Sequence, residues 1–208
     1  MFDVHTLALF LTATLALNLT PGPDMLYVIA RSAAEGRKAG IVSALWIAGG
    51  TVFHTAAVAL GVVSLLAAVP VAFLIVKYAG AAYLIYLGIR ALRSDAPLAA
   101  PVVEHARLSV IFRQGVITNV LNPKVALFFL AFLPQFVDPA RGDPALQVIV
   151  LGLLFNVSGT LVNLAVALAS SRVAARLRRT SGTTRVVQRA TGVLFIGLGA
   201  RLAYGVRP

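Results

Sequence analysis

Asp24 and Lys124 are the charged residues of this chain whose settings invite chemistry. Each directly follows a proline inside an otherwise apolar stretch: Asn18-Leu19-Thr20-Pro21-Gly22-Pro23-Asp24 and Asn119-Val120-Leu121-Asn122-Pro123-Lys124. Placing an ionised group in such a stretch is costly, so a role is expected for it. The carboxylate can bind an ammonium group, load and release a proton, or neutralise the lysine. The lysine can hold a substrate carboxylate or form an ion pair with Asp24. Bland alternatives stand beside these: Asp24 as the cap of a restarted helix, and Lys124 as a stem that snorkels to the membrane surface.

The neighbours divide in the same way. Asn18, Asn119 and Asn122 bring amides that either satisfy freed backbone carbonyls or bind the polar ends of a solute. His54 and Asn156, with Thr51, Ser158, Thr160 and Asn163 nearby, offer a proton relay in one reading and helix–helix hydrogen bonds in the other. The chain has no cysteine, and Asp24 and His54 are the only plausible metal ligands in its apolar stretches, so no metal site is expected. No acid, base and nucleophile cluster points to an enzyme. There is no phosphate-binding loop for ATP, and no cofactor is expected.

The elements carrying these residues must be broken helices. Proline removes a backbone donor and clashes with the preceding turn, leaving carbonyls unpaired; in a membrane this is tolerated only inside protein or beside a water-filled cavity. A membrane setting follows from composition. Of 208 residues, 59% are hydrophobic and 12% charged, where soluble domains run at about 45–50% and about 25%. Six apolar runs are long enough to span a bilayer, roughly 4–30, 40–68, 70–92, 111–137, 145–171 and 186–206. The expected fold is an all-α membrane protein, one transporter domain over 1–208, with six transmembrane helices of which the first and fourth are broken at proline.

A shift of 102 positions lays Thr20-Pro21 on Asn122-Pro123, Gly50 on Gly152 and His54 on Asn156. A shift of 111 lays Leu87-Gly88-Ile89-Arg90 on Leu198-Gly199-Ala200-Arg201. Two three-helix repeats follow, 1–93 and 111–208, joined by a cytoplasmic linker over 94–110. Three spans is an odd number, so the second repeat must be inverted. Pro21 lies ten residues before Arg31 and Pro123 ten after Arg113, which puts each break ~15 Å from a basic marker, near the membrane midplane. Paired breaks at that depth point to a transporter's binding site.

The net charge of +11 reflects topology and not nucleic-acid binding, because the basic residues are sorted by loop. Arg31, Arg37 and Lys38, then Arg90, Arg93, Arg107 and Arg113, then Arg172, Arg176, Arg178, Arg179, Arg185 and Arg189 make up thirteen of the 18. Those loops are expected to be cytoplasmic, with both termini outside. The N-terminal stretch lacks the basic region of a secretory signal and reads as the first span. The run from Arg172 to Arg189 is expected to meet anionic lipid.

At these residues the chain resembles the LysE/RhtB family of amino-acid exporters. The matching pieces are Asn18 to Arg31, Gly36 to His54, Tyr83 to Arg93, and Arg113 to Val137. The resemblance implies a six-span exporter of amino acids or related metabolites in the inner membrane, working as a homo-oligomer. It does not select among the family's substrates, which include basic amino acids, homoserine, threonine and leucine. The residues and the resemblance together suggest a secondary exporter of a small zwitterion, driven by the proton-motive force. Pro21, Gly22, Pro23, Asp24 and Pro123, Lys124, with Asn18, His54, Asn119, Asn122 and Asn156, form the candidate site. The rival readings are a passive channel, an ion or metal transporter, and a non-transporting membrane scaffold.

Overall fold

A computed structural model of the chain describes residues 2–62, 70–93, 106–177 and isolated positions between 189 and 204. Asp3 starts α1 (Val4–Leu19) by accepting from the Thr6 amide at 2.8 Å and the Thr6 hydroxyl at 2.9 Å. The first contact satisfies an amide that the opening turn leaves free. Together the two hold the Asp3 carboxyl below its ordinary range.

α1 stops where proline requires it to. Thr20, the residue before Pro21, is extended at φ −70°, ψ 125°, because the proline ring disfavours helical geometry there. α2 (Pro23–Glu35) restarts with proline in its first turn, where the fixed φ suits a helix and the missing N–H costs nothing. The axes of α1 and α2 differ by 47°. The second break repeats this. α5 (Leu108–Val120) ends, Asn122 is extended, and α6 (Pro123–Phe136) restarts at a bend of 45°. α6 is α-helical to Leu127, widens to a π turn over Phe128–Phe132 and tightens to a 3-10 turn over Leu133–Phe136.

Between the bent pairs lie α3 (Arg37–Ala57), which runs into a π turn at Val58–Val62, and α4 (Pro70–Arg93). After a 3-10 turn at Pro139–Arg141 comes α7 (Pro144–Leu177). Gly36 joins α2 to α3 at φ 85°, ψ 179°, a region essentially restricted to glycine.

Among the described residues all regular structure is helical. Two helical stretches, Arg37–Gly61 and Pro144–Ala169, are each long and apolar enough to cross a membrane, and four spans result if each bent pair counts as one. The stretch expected to form the third span is helical, as the 24-residue α4. Most of the sixth, residues 94–105 of the linker expected over 94–110, and Arg178, Arg179 and Arg185 lie outside the described residues, while α5 already begins within that linker at Leu108. In the C-terminal region Ala203 packs against an apolar core, and a Cβ at Gly199 would lie 2.8 Å from the Ala81 carbonyl oxygen on α4, an approach open only to glycine.

Two apolar clusters bracket the breaks. One joins α1, α6 and α7 through Phe10, Leu17, Phe128, Phe129, Phe132, Phe136, Leu151 and Phe155. The other joins α2, α3, α5 and α7 through Tyr27, Val28, Ala44, Ile47, Ile111 and Ala167. The N-terminal half of one broken pair thus shares a core with the C-terminal half of the other, and both breaks sit where the clusters meet.

Candidate functional site

In unbroken helices the Leu17 carbonyl would accept from residue 21 and the Asn119 carbonyl from residue 123. Both of those residues are prolines, so both carbonyls lose their regular donors. Lys124 supplies one replacement: its Nζ donates to the Leu17 oxygen at 3.0 Å and to the Thr20 oxygen at 2.9 Å. His54 supplies the other, with Nε2 3.2 Å from the Asn119 oxygen. A carbonyl only accepts, so that geometry assigns the proton to Nε2. The Thr20 and Asn122 amides give each carbonyl a second contact, at 3.2 Å and 3.0 Å.

Asp24 reaches across to the other break. Its Oδ2 accepts from Asn119 Nδ2 at 2.8 Å, while Thr51 Oγ1 donates to Asn119 Oδ1 at 3.4 Å. Asn119 is thereby held through its amide and its carbonyl by two other helices, α2 and α3, and it is 1% exposed. This needs Gly50, where a Cβ would lie 2.6 Å from the Asn119 Cβ. Gly22 is tight in the same way: a Cβ there would lie 3.0 Å from Lys124 Nζ.

Three of the sequence-level alternatives are decided by this geometry. No direct Asp24–Lys124 ion pair forms; the ion pairs seen among the described residues are Arg31–Glu35, Arg141–Asp3 and Arg141–Asp138. The carbonyls orphaned at the first break take the ammonium first, and it acts on Asp24 through space. Nor does Lys124 snorkel, since it is buried with its Nζ on backbone. Asp24 is not a helix cap either: Gly22 occupies that position on α2 without a side-chain bond. The capping falls to Asn122, whose Oδ1 accepts from the Lys124 amide at 3.1 Å.

Two buried side-chain atoms at the junction make no hydrogen bond of good geometry, although the Asn122 side chain lies beside the Asp24 carboxylate. Asp24 Oδ1 is a buried acceptor and Asn122 Nδ2 a buried donor. Buried polar atoms are nearly always paired, so each orphan calls for an explanation. A free carboxylate oxygen can receive an ammonium group, and a free amide N–H can donate to a carboxylate.

Other expected site residues stitch helices together. Asn18 Nδ2 donates to Ser158 Oγ at 3.0 Å, against a tight approach at Gly159. Asn156 Nδ2 donates to the Ala48 carbonyl at 3.2 Å. Neither is hydrogen-bonded to Asp24. A polar group the sequence reading missed lies along α2 and α5: Tyr27, Arg31, Glu35 and Gln114 are joined by hydrogen bonds. The spacing of positions 24, 27, 31 and 35, one face of a helix, was the available signal. Among the described residues no three His, Cys, Asp or Glu side chains converge as a metal site would need.

The family model described as LysE type translocator matches residues 15–206. The chain belongs to the LysE type translocator family. It is accordingly a membrane transporter and not an enzyme. Similar chains include an uncharacterized membrane protein of Pseudomonas aeruginosa, 36% identical over 89% of this chain and 88% of that protein. Another, from Vibrio cholerae, is 30% identical over 97% of this chain and 98% of its own length. A leucine efflux protein of Salmonella typhimurium is 29% identical over 93% of this chain and 92% of that protein. No solved structure matches the chain.

Proposed function

We propose that this translocator is a secondary exporter of neutral amino acids, coupled to the proton-motive force and working by alternating access at the junction of the two helix breaks. The observation that carries the proposal is the orphan pair, Asp24 Oδ1 and Asn122 Nδ2. An amino acid's ammonium group would sit on the first and its carboxylate on the second, drawn also by the Lys124 charge. Lys124 itself is engaged by Leu17 and Thr20, and among the described residues Asp24 is the only acid at the junction. A second ammonium, as on a dibasic side chain, would therefore find no counter-charge. The leucine efflux relative supports a neutral apolar cargo. As the single carboxylate there, Asp24 would carry cargo ammonium outward and a proton inward, in different halves of the cycle.

The architecture we propose with it is six spans in two inverted repeats in the inner membrane, both termini outside and the Arg31 end of α2 cytoplasmic, assembled as a homo-oligomer. The similar bends at Pro21–Pro23 and Pro123, 47° and 45°, and their reciprocal contacts support the repeat. The sorting of basic residues by loop supports the orientation.

The test is counterflow in proteoliposomes with labelled leucine, other neutral amino acids and lysine, followed by net flux under an imposed pH gradient. The proposal expects exchange of neutral amino acids and uphill movement that a protonophore abolishes. Downhill flux that ignores the protonophore would make the protein a channel. No exchange across the panel would refute export.

A further inference from the structure

We infer that the seam between α2 and α5 is the gate by which cargo reaches the Asp24–Asn122 site from the cytoplasm, with Tyr27, Arg31, Glu35 and Gln114 as its latch. The inference rests on the exporter reading above.

Asp24, Tyr27, Arg31 and Glu35 fall at successive spacings of three and four along α2, so they line one face. That face meets α5. The innermost link is Asp24 with Asn119. Next, the Tyr27 hydroxyl lies 3.0 Å from the Ile111 carbonyl, to which it donates, and 3.4 Å from Gln114 Oε1. Then the Arg31 guanidinium, stacked 5.6 Å over the Tyr27 ring, donates to Gln114 and to Glu35. Outermost, Glu35 Oε2 accepts from the Ala106 amide at 3.2 Å, tying down the chain that leads into α5. A continuous polar ladder therefore leads from the substrate junction to the end of the α2–α5 pair.

In the opposite half of the molecule the α1–α6 seam is apolar, with an exposed ion pair, Arg141–Asp3, at the start of α1. There α1 meets α6 through Phe10, whose ring lies 5.2 Å from Phe136 and 6.0 Å from Phe128. Apolar contacts of that kind gain nothing when water enters. The α2–α5 ladder behaves otherwise, because every group in it can exchange its partner for water, so the seam is satisfied both shut and open. Arg31 is 3% exposed, and a buried ion pair is seldom the most stable filling for such a space; apolar side chains usually serve as well or better. Its presence on the path to the site is explained by a seam that must part, flood and re-form.

The chain contains no cysteine, so engineered thiols report cleanly. The first experiment cross-links Glu35→Cys with Ala106→Cys by a short bis-thiosulfonate reagent in proteoliposomes, with wild-type counterflow measured alongside. We expect exchange to fall about tenfold or more on cross-linking, because gating sets the cycle rate, and to return on reduction. Cross-linked protein that exchanges at the rate of its reduced form overturns the gate.

Should the double variant be inactive before cross-linking, Gln114→Cys decides the matter without transport. Its labelling by a membrane-impermeant maleimide from the cytoplasmic side should change about threefold or more when an exchanged amino acid is added, as a population shift requires. A rate indifferent to that amino acid means a static seam and refutes the gate. A wild type that exchanges no amino acid refutes the exporter reading and the gate with it; intact wild-type exchange with a static seam refutes the gate alone.

Discussion

Lys124 Nζ donates to the Leu17 carbonyl, the carbonyl that Pro21 deprives of its helical partner. A residue next to one proline break thus repairs the other, 107 positions away in sequence. The return contact runs from Asp24, beside the first break, to Asn119, beside the second. The two breaks are therefore one structural unit, and a movement of either half must disturb both.

Removing the Lys124 ammonium should destabilise the protein more than it perturbs local helix propensity. In Lys124→Met the Leu17 and Thr20 carbonyls lose this donor within a buried setting. The Leu17 carbonyl keeps the Thr20 amide, so the Thr20 carbonyl is the group left unsatisfied, at an expected cost of about 1–3 kcal/mol. Thermal unfolding of the detergent-solubilised protein checks this, and a midpoint equal to that of wild type would mean that the contact contributes nothing.

Gly50→Ala should displace Asn119 and with it the hydrogen bond to Asp24. The added methyl would fall 2.6 Å from the Asn119 Cβ, and overpacking of this kind costs about 1–3 kcal/mol. Loss of both thermal stability and amino-acid exchange is the expected outcome. Gly197→Ala is the matched control, since among the described residues nothing lies within 4 Å of its Cβ position; it should behave as wild type in both assays.

The proposed orientation predicts that reporters fused after Pro208 face the periplasm. An alkaline phosphatase fusion should be active and a green fluorescent fusion dark. The opposite pattern would invert the topology and place the α2–α5 gate on the outside.

The breaks were legible in the sequence because proline acts on its own neighbours: Thr20 and Asn122 had to leave helical geometry whatever surrounded them. Partner choice was not legible. Lys124 and Asp24 have complementary charges, and nothing in the sequence shows that the Leu17 and Thr20 carbonyls lie nearer to the ammonium. The cap was misplaced for a related reason. Asp24 and Asn122 are both good capping residues, but Asn122 directly precedes Pro123, the cap-then-proline order of a helix start, while Asp24 follows Pro23 and is already inside α2. Arg31 was read as a marker of sidedness because a basic residue at a span end has that average meaning. Its pairing with Gln114 on another helix emerges only when α2 and α5 pack together.

The most direct test of the account is exchange by Asp24→Asn in proteoliposomes, with protein amount and insertion matched to wild type. The substitution keeps the size of the side chain and an oxygen to accept from Asn119, while removing the charge that binds ammonium and carries the proton. The account predicts a protein that inserts and unfolds as wild type does, with its pH-driven amino-acid efflux abolished. Efflux at near wild-type rate and with wild-type pH dependence would contradict it, leaving Asp24 as a brace for Asn119 and nothing more.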